Sequence, residues 1–237
     1  MTTGKPLSGK PLSGKPLSGK PLSGKPRSSK PRSGTEERRS GFDGPRQNGV
    51  RSREDVVSAA GRLFSARGYH GTSMRDLARE LGLIGSSLYS HIESKADLLV
   101  EVVERGADLF QESADRAMAT SGNGKTRLGA LVAGHVEVVL DHPDEVRTFL
   151  YEAHALEESQ RARVLAARDR YEQAFRSVLE AGAGDGSLRP DLDARLAAIF
   201  VLSILNALER WYRPNGRLSR DQIVEEVLSF GLRGIGP

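Results

Sequence analysis

Residues 52–99, SREDVVSAAGRLFSARGYHGTSMRDLARELGLIGSSLYSHIESKADLL, decide how the chain is read. Val56, Val57, Ala60, Leu63 and Phe64 recur on one face at the spacing of an amphipathic helix. Ser52 is followed three residues on by Asp55, Ser73 by Asp76, and Ser94 by Asp97. This is a capping-box pattern, in which hydroxyl and carboxylate satisfy backbone N–H groups that the first turn of a helix leaves unpaired. Gly68 and Gly82 are matching stops. The spacing predicts a helix over 52–67, a second ending at Gly82, a third over 85–91, and a fourth from Ser94 to about Ala119.

Two short helices joined by a turn and backed by a supporting helix make a helix-turn-helix unit, whose second helix is shaped to enter a DNA major groove. The groove side of that helix must be small and polar. Ser86, Ser87, Tyr89, Ser90 and His91 fit, while Leu88 alone turns toward a core. Lys95, at a helix start with free amides, suits a phosphate. Arg75, and Arg51 and Arg53 ahead of the first helix, suit the flanking backbone. Taken singly, each residue also has a plainer reading as solvated surface or, for Tyr89, as a core aromatic.

Downstream, SGNGK (Ser121–Lys125) interrupts the helical pattern. A helix to Leu140 follows, then a turn DHPD (Asp141–Asp144), a short helix over Val146–Leu156, and a long one over Ser159–Ala181. Pro190 and Asp191 open a strongly apolar helix to Tyr212, and Ser219 with Gln222 caps a last one to Leu232. Alternating apolar patterns are lacking, so the expected fold is all-α, with about nine helices. Three segments are expected: 1–50 as an arm and linker, 51–98 as the helix-turn-helix domain, and 99–237 as a second helical domain.

Charge divides the chain differently. Residues 1–50 hold eleven Lys/Arg against Glu36, Glu37 and Asp43, a charge of +8, while the whole chain is +4, so residues 51–237 carry −4. The basic charge sits in a pentapeptide array, GKPLS four times, then GKPRS and SKPRS. One proline in five, among Gly, Ser and Lys, buries too little apolar surface to offset its ordering entropy. The arm is expected to be disordered, either a cationic tether for nucleic acid or a repeat of little consequence. Its sign alone does not separate DNA from RNA or a membrane surface.

The stretch Val56–Leu99 resembles the DNA-binding domain of TetR-family transcriptional regulators, through the framework AA.RLF..RGY..TS...LA.ELG....SLY.HI.SK..LL. The resemblance implies that Tyr89, His91 and Lys95 contact phosphate, that Ser86, Ser87 and Ser90 approach base edges, and that Arg75 with Thr72 or Ser73 holds the other strand. Ile84 departs from the Ser or Thr that caps the third helix in most members, Ser86 from a Gly or Ala, and Ile92 from a Phe. A lost cap costs about 1 kcal/mol, so local order at Ile84 is expected to be coupled to DNA binding. The family also implies a homodimer through the last two helices, Leu192–Tyr212 and Ser219–Leu232, a roughly palindromic double-stranded operator, and a small-molecule effector bound in the C-terminal domain. Phe149, Leu150, His154, Tyr171 and Phe175 are candidate lining residues, although taken singly the plainer reading of each is ordinary core.

NALERWYRPNGRLS (Asn206–Ser219) is similar to the RWYRPGG-type segment of family members that regulate lipid, steroid and acyl-group catabolism. That similarity implies an acyl-CoA effector, with Arg210, Trp211 and Arg213 as its polar contacts. The alternatives are repression of an efflux gene relieved by a hydrophobic small molecule, and a nonspecific structural DNA-binding protein that uses the basic arm.

Other classes find little support. Cysteine is absent, which excludes disulfides and thiol chemistry. His70, His91, His135, His142 and His154 lack the spacing of a metalloenzyme, although a metal sensor through His135, His142 and His154 stays open. No nucleophile or nucleotide-binding motif is present, and no enzyme, cofactor or metal is expected. The longest apolar run, Ala197–Leu208, is 12 residues, short of the ~20 that a membrane helix needs. The N-terminus lacks a signal-peptide core, so a cytoplasmic protein is expected.

Overall fold

The computed structural model describes residues 52–90 and 92–235. Along them run α1 (Arg53–Arg67), α2 (Met74–Leu81), α3 (Gly85–Leu88), α4 (Lys95–Met118), α5 (Gly124–Asp141) and α6 (Pro143–Tyr151). A 3-10 turn (Ala153–Ala155), α7 (Glu158–Gly184), α8 (Ala194–Trp211) and α9 (Arg220–Ile235) follow. Among the described residues there is no strand. The basic arm, Arg51 and His91 lie outside the described residues.

Local chemistry explains the helix starts. Ser52 Oγ accepts from Asp55 N (3.1 Å) while Asp55 Oδ2 accepts from Ser52 N (2.9 Å), and Ser73 with Asp76 repeats this reciprocal pair. At α4 the box is only half built: Ser94 Oγ accepts from Asp97 N (3.1 Å), but the hydroxyl itself donates to Asp97 Oδ2 (2.7 Å). Gly68 and Gly82 end α1 and α2 with positive φ of 76° and 66°, a region that costs glycine nothing. Ile84 makes no side-chain cap, and α3 closes after one turn at Leu88 rather than reaching His91.

Other boundaries differ from expectation too, among them the end of α9, which reaches Ile235 rather than Leu232. DHPD is not an open turn, because Pro143 takes the first position of α6 and His142 alone separates it from α5; a proline there forfeits no hydrogen bond. The segment to Leu156 is divided, α6 stopping at Tyr151 before the 3-10 turn. Asp193, not Pro190 or Asp191, caps α8, accepting from Leu196 N at 2.9 Å. α7 runs past Ala181 to Gly184.

Helix α4 organises the packing. Leu98, Leu99, Val102 and Val103 are buried at its N-terminal half and Phe110, Ala114 and Ala117 at its C-terminal half. It touches α1 as well as α5, α6 and α7. It runs unbroken across the domain boundary expected at 98/99. Helix α6 also lies on α1, so two helices join the N-terminal head to the body. Close approach is achieved at glycines: a Cβ on Gly106 would meet Phe149 Cβ at 2.8 Å, and one on Gly124 would meet Gly182 Cα at 2.2 Å.

These contacts separate two glycines of α5. Gly124→Ala pushes into the backbone of α7 and is expected to destabilise the protein by about 1–3 kcal/mol in urea unfolding. Gly129 has only Leu228 Cδ1 near, at 3.9 Å. Gly129→Ala is expected to stabilise by about 0.5–1 kcal/mol, because a helix-interior glycine forfeits chain entropy.

Candidate functional site

The head presents a polar face built from α2, α3 and the turn after it. Leu77, Leu81 and Leu88 are buried beneath it, which leaves Ser73, Arg75, Ser87, Tyr89 and Ser90 exposed. Tyr89 is therefore a surface residue and not a core aromatic. Arg75 and Tyr89 border a shallow groove with Met74, Ala78, Arg79 and Leu83. Ser90 Oγ donates to Ser87 O (2.7 Å), and Arg79 pairs with Asp76. Ile84 stands 78% exposed at the turn between α2 and α3. The side chain of Ser86 lies outside the described residues.

Two expected contacts are placed differently. Thr72 is 2% exposed, and its hydroxyl lies 3.0 Å from Gly68 O and 3.3 Å from Leu63 O, so it ties the loop after α1 rather than facing outward. Lys95 folds back: its ammonium donates to Tyr69 O (3.0 Å) and Thr72 O (2.9 Å) and lies 4.1 Å from the centre of the Tyr69 ring. Both carbonyls sit in the loop after α1, where Tyr69 O also accepts from Thr72 N (3.2 Å), and a cation over an aromatic face adds to the attraction. Arg53 pairs with Glu101 across α1 and α4.

The body holds a half-open cavity of about 260 Å³ between α4, α5, α6, α7 and α8. Phe110, Phe149 and Tyr171 supply its aromatic wall, with His135, Arg168 and Glu172 as its ionisable groups and Asn206 as its amide. Of the expected lining residues, Phe149, Leu150 and Tyr171 are in the wall. Phe175 is fully buried behind it, its ring 5.4 Å from that of Tyr171. His154 is not a lining residue: it is exposed on the 3-10 turn, with Nδ1 2.7 Å from Tyr151 O. Arg210, Trp211 and Arg213 also lie outside the cavity, exposed at the end of α8. Arg213 donates to the carbonyls of Arg210 (3.1 Å) and Tyr212 (2.7 Å). The α8 part of the wall is Ile199, Leu202, Ser203 and Asn206, with Asn206 one helical turn before Arg210. His135, His142 and His154 do not converge, and among the described residues no group of three His, Cys, Asp or Glu is placed to hold a metal ion.

Two signals for the cavity were present in the sequence. His135 interrupts the buried stripe Leu128, Leu131, Val132, Val136 and Val139 of α5. Arg168 occupies a position of the stripe Val164, Tyr171, Phe175 of α7. Burial holds the His135 imidazole neutral, its pKa down to about 3. Burial also pushes the Tyr171 hydroxyl up and the Arg168 guanidinium down from their usual values. Tyr171 Oη is 3.1 Å from His135 Nδ1.

Polar contacts run from the cavity wall to the head. Arg168 donates to the α6 carbonyls of Phe149 and Leu150 and stacks 4.8 Å over the Phe149 ring. Just beyond, Glu152 Oε2 accepts from Tyr69 N (2.9 Å), and Tyr69 O is one of the carbonyls that Lys95 holds. On α8 and α9, Leu196, Phe200 and Phe230 are exposed and, with the half-buried Leu192, Ile204 and Gly231, form an apolar patch. No described helix is long and apolar enough to cross a membrane.

A helix-turn-helix head on a helical body with an aromatic cavity defines a class of protein, and comparison with known proteins agrees. The model described as bacterial regulatory proteins of the tetR family matches residues 56–102, and that described as the tetracyclin repressor-like C-terminal domain matches 121–235. The HTH-type transcriptional repressor KstR2 of Rhodococcus jostii is 33% identical over 187 residues, covering 77% of this chain and 90% of that protein. The solved structure of the ketosteroid transcriptional regulator KstR2 of Mycobacterium tuberculosis superposes with a TM-score of 0.74 at 27% identity, over 78% of this chain and 95% of that one. AibR in complex with isovaleryl coenzyme A and operator DNA gives 0.69 at 28% identity, over 75% and 96%. The chain belongs to the TetR family of bacterial regulators.

The neutral His135 makes a pH prediction. The unfolded imidazole takes up its proton near 6.5 and the folded one only near 3, so between these values the unfolded state binds more protons and stability must fall as pH falls. Urea titrations of wild type and His135→Gln from pH 7.5 to 4 are expected to show a shallower loss in the variant below about pH 6.5.

Proposed function

We propose that the chain is a homodimeric transcriptional repressor that leaves a roughly palindromic operator when an acyl-CoA thioester occupies the cavity. The observation that carries this reading is that α4 and α6 each contribute to the cavity wall, through Phe110 and Phe149, and also pack against α1 of the head. An effector shifts a DNA-binding equilibrium only if it binds the two states with different affinity. Here a ligand that engages Arg168 through Nη2 competes with the α6 carbonyls of Phe149 and Leu150. A shift of α6 reaches the head through Glu152 and the Tyr69 loop.

At the DNA, Arg75, Ser73, Tyr89 and Arg53 serve the phosphates, Ser87 and Ser90 the base edges, and Arg51, Ser86 and His91 join them by their positions in the family framework. Thr72 and Lys95 act from beneath, by holding the loop that positions α2. The apolar patch on α8 and α9 supports a partner subunit there, since a protein seldom leaves Leu196, Phe200 and Phe230 together in water. The two heads then read half-sites about one DNA turn apart. The cavity admits an acyl group but not a nucleotide. The coenzyme portion lies over Arg210, Trp211 and Arg213 at the end of the helix whose Asn206 is in the wall, arginine and aromatic being suited to phosphate and adenine. Relatives named as repressors, and AibR with isovaleryl coenzyme A, support both halves of the reading.

Footprinting on DNA upstream of the protein's own gene and its neighbours is expected to reveal an inverted repeat. Titration with short- and branched-chain CoA thioesters, isovaleryl-CoA among them, is expected to release that DNA, with free CoA as the inactive control. If no thioester weakens operator binding by at least about fivefold, the low end of ordinary allosteric coupling, the effector assignment fails. Glu152→Ala, which removes the acceptor for Tyr69 N–H, is expected to bind operator while losing most of the thioester response, read as the ratio of operator affinities with and without thioester.

A further inference from the structure

Two polar atoms of the cavity wall are buried without a protein partner, Nε2 of His135 and Nε of Arg168. The arginine nitrogen is always an N–H donor. The histidine nitrogen is assigned by its neighbour. Tyr171 has one hydroxyl hydrogen, and its buried partner is His135 Nδ1 at 3.1 Å. If the imidazole proton sat on Nδ1 it would donate to Oη, leaving both the tyrosine O–H and the Nε2 lone pair unpaired in the interior, whereas a proton on Nε2 leaves that one N–H alone without a partner. Tyr171 therefore donates, Nδ1 accepts, and the proton of the neutral ring is on Nε2. The unpartnered buried groups of the wall are thus both donors. Ser203 spends its hydroxyl on Ile199 O (2.7 Å), while Glu172 and Asn206 are half-buried.

We propose that the effector's enclosed part is a compact apolar body carrying an uncharged oxygen acceptor, a ketone or thioester carbonyl, that takes the hydrogen bond from His135 Nε2. The volume of about 260 Å³ lies below the ~300–1,000 Å³ of pockets for drug-sized ligands, which keeps the body small. A site built to donate a hydrogen bond rejects the analogue that lacks the acceptor far more strongly than an apolar pocket rejects a missing methylene. Tyr171 is a positioning residue here, since it fixes the tautomer and does not itself meet the oxygen. The inference rests on reading this cavity as the effector site.

The test uses full-length protein with ¹⁵N-labelled histidine and two probes of matched shape, cyclohexanone and methylenecyclohexane. The His135 signal is expected to show a protonated Nε2 from pH 7.5 to 5, and to shift with cyclohexanone but not with the alkene. Wild type is expected to prefer the ketone by a ratio that drops about fivefold or more in His135→Phe. Taking that ratio cancels the different hydration of the two probes. Tyr171→Phe, which keeps the imidazole, is expected to lose part of the preference. A merely structural histidine would change stability and leave both the preference and the ketone shift untouched. A proton on Nδ1, or equal preference in wild type and His135→Phe, overturns the proposal, and the wild-type spectrum decides if that variant does not fold. If cyclohexanone shifts His135 while no CoA thioester releases operator, the effector assignment falls and the acceptor site stands. If thioesters release operator with Nε2–H unmoved by any carbonyl, the reverse holds.

Discussion

Every other part of the structure depends on α4 being buried along its whole length by two different sets of neighbours. Its first half closes the core of the head through Leu98, Leu99 and Val102, and its second half enters the body through Phe110, Ala114 and Ala117. A helix transmits displacement along its axis because its backbone hydrogen bonds make it stiff. One continuous helix thus carries both Phe110 in the body and the residues packed beneath α1. Gly106 brings α4 and α6 so near that no side chain could stand between them, and the two helices meet the head as a pair.

The second connection is polar and runs through backbone groups. Arg168 caps carbonyls at the end of α6, Glu152 takes the Tyr69 amide, and Lys95 takes the Tyr69 and Thr72 carbonyls. The bonds engage backbone groups at a helix end and in a loop, among them Tyr69 O, which also accepts from Thr72 N at 3.2 Å. The loop between α1 and α2 is held from both sides. That explains why Lys95 and Thr72, which belong to the family framework, are spent inside the head. Residues beneath a DNA-reading face can matter as much to its geometry as residues on it.

The cavity obeys a different constraint. Its aromatic wall would be an ordinary core if it were closed, and what distinguishes it is polar chemistry in the wrong place for a core. His135 stays neutral because burial outweighs any reason to protonate it. Arg168 stays charged by pairing with helix-end carbonyls and the Phe149 ring. Buried polar atoms are nearly always satisfied, so two unsatisfied nitrogens in one wall point to a ligand.

The family, the all-helical fold and most helix starts were legible in the sequence, because capping and periodicity are local. Ser52 with Asp55 and Ser73 with Asp76 act within one turn, and nothing distant has to be known. Local reasoning also foresaw that Ile84 would leave α3 uncapped, and that Leu88 would be its inward residue. It could not tell His135 from His154, since both lie on helical segments with apolar neighbours, and only the packing of α4, α7 and α8 around α5 makes one a wall residue and leaves the other in solvent. Nor could it tell that Lys95 turns inward, because its partners are carbonyls 23 and 26 residues away. By itself the sequence determined which segments are helices and which family they form. The tertiary structure decided which polar side chains are spent on the fold and which remain for a ligand, because that depends on how far each is buried and what distant backbone it meets.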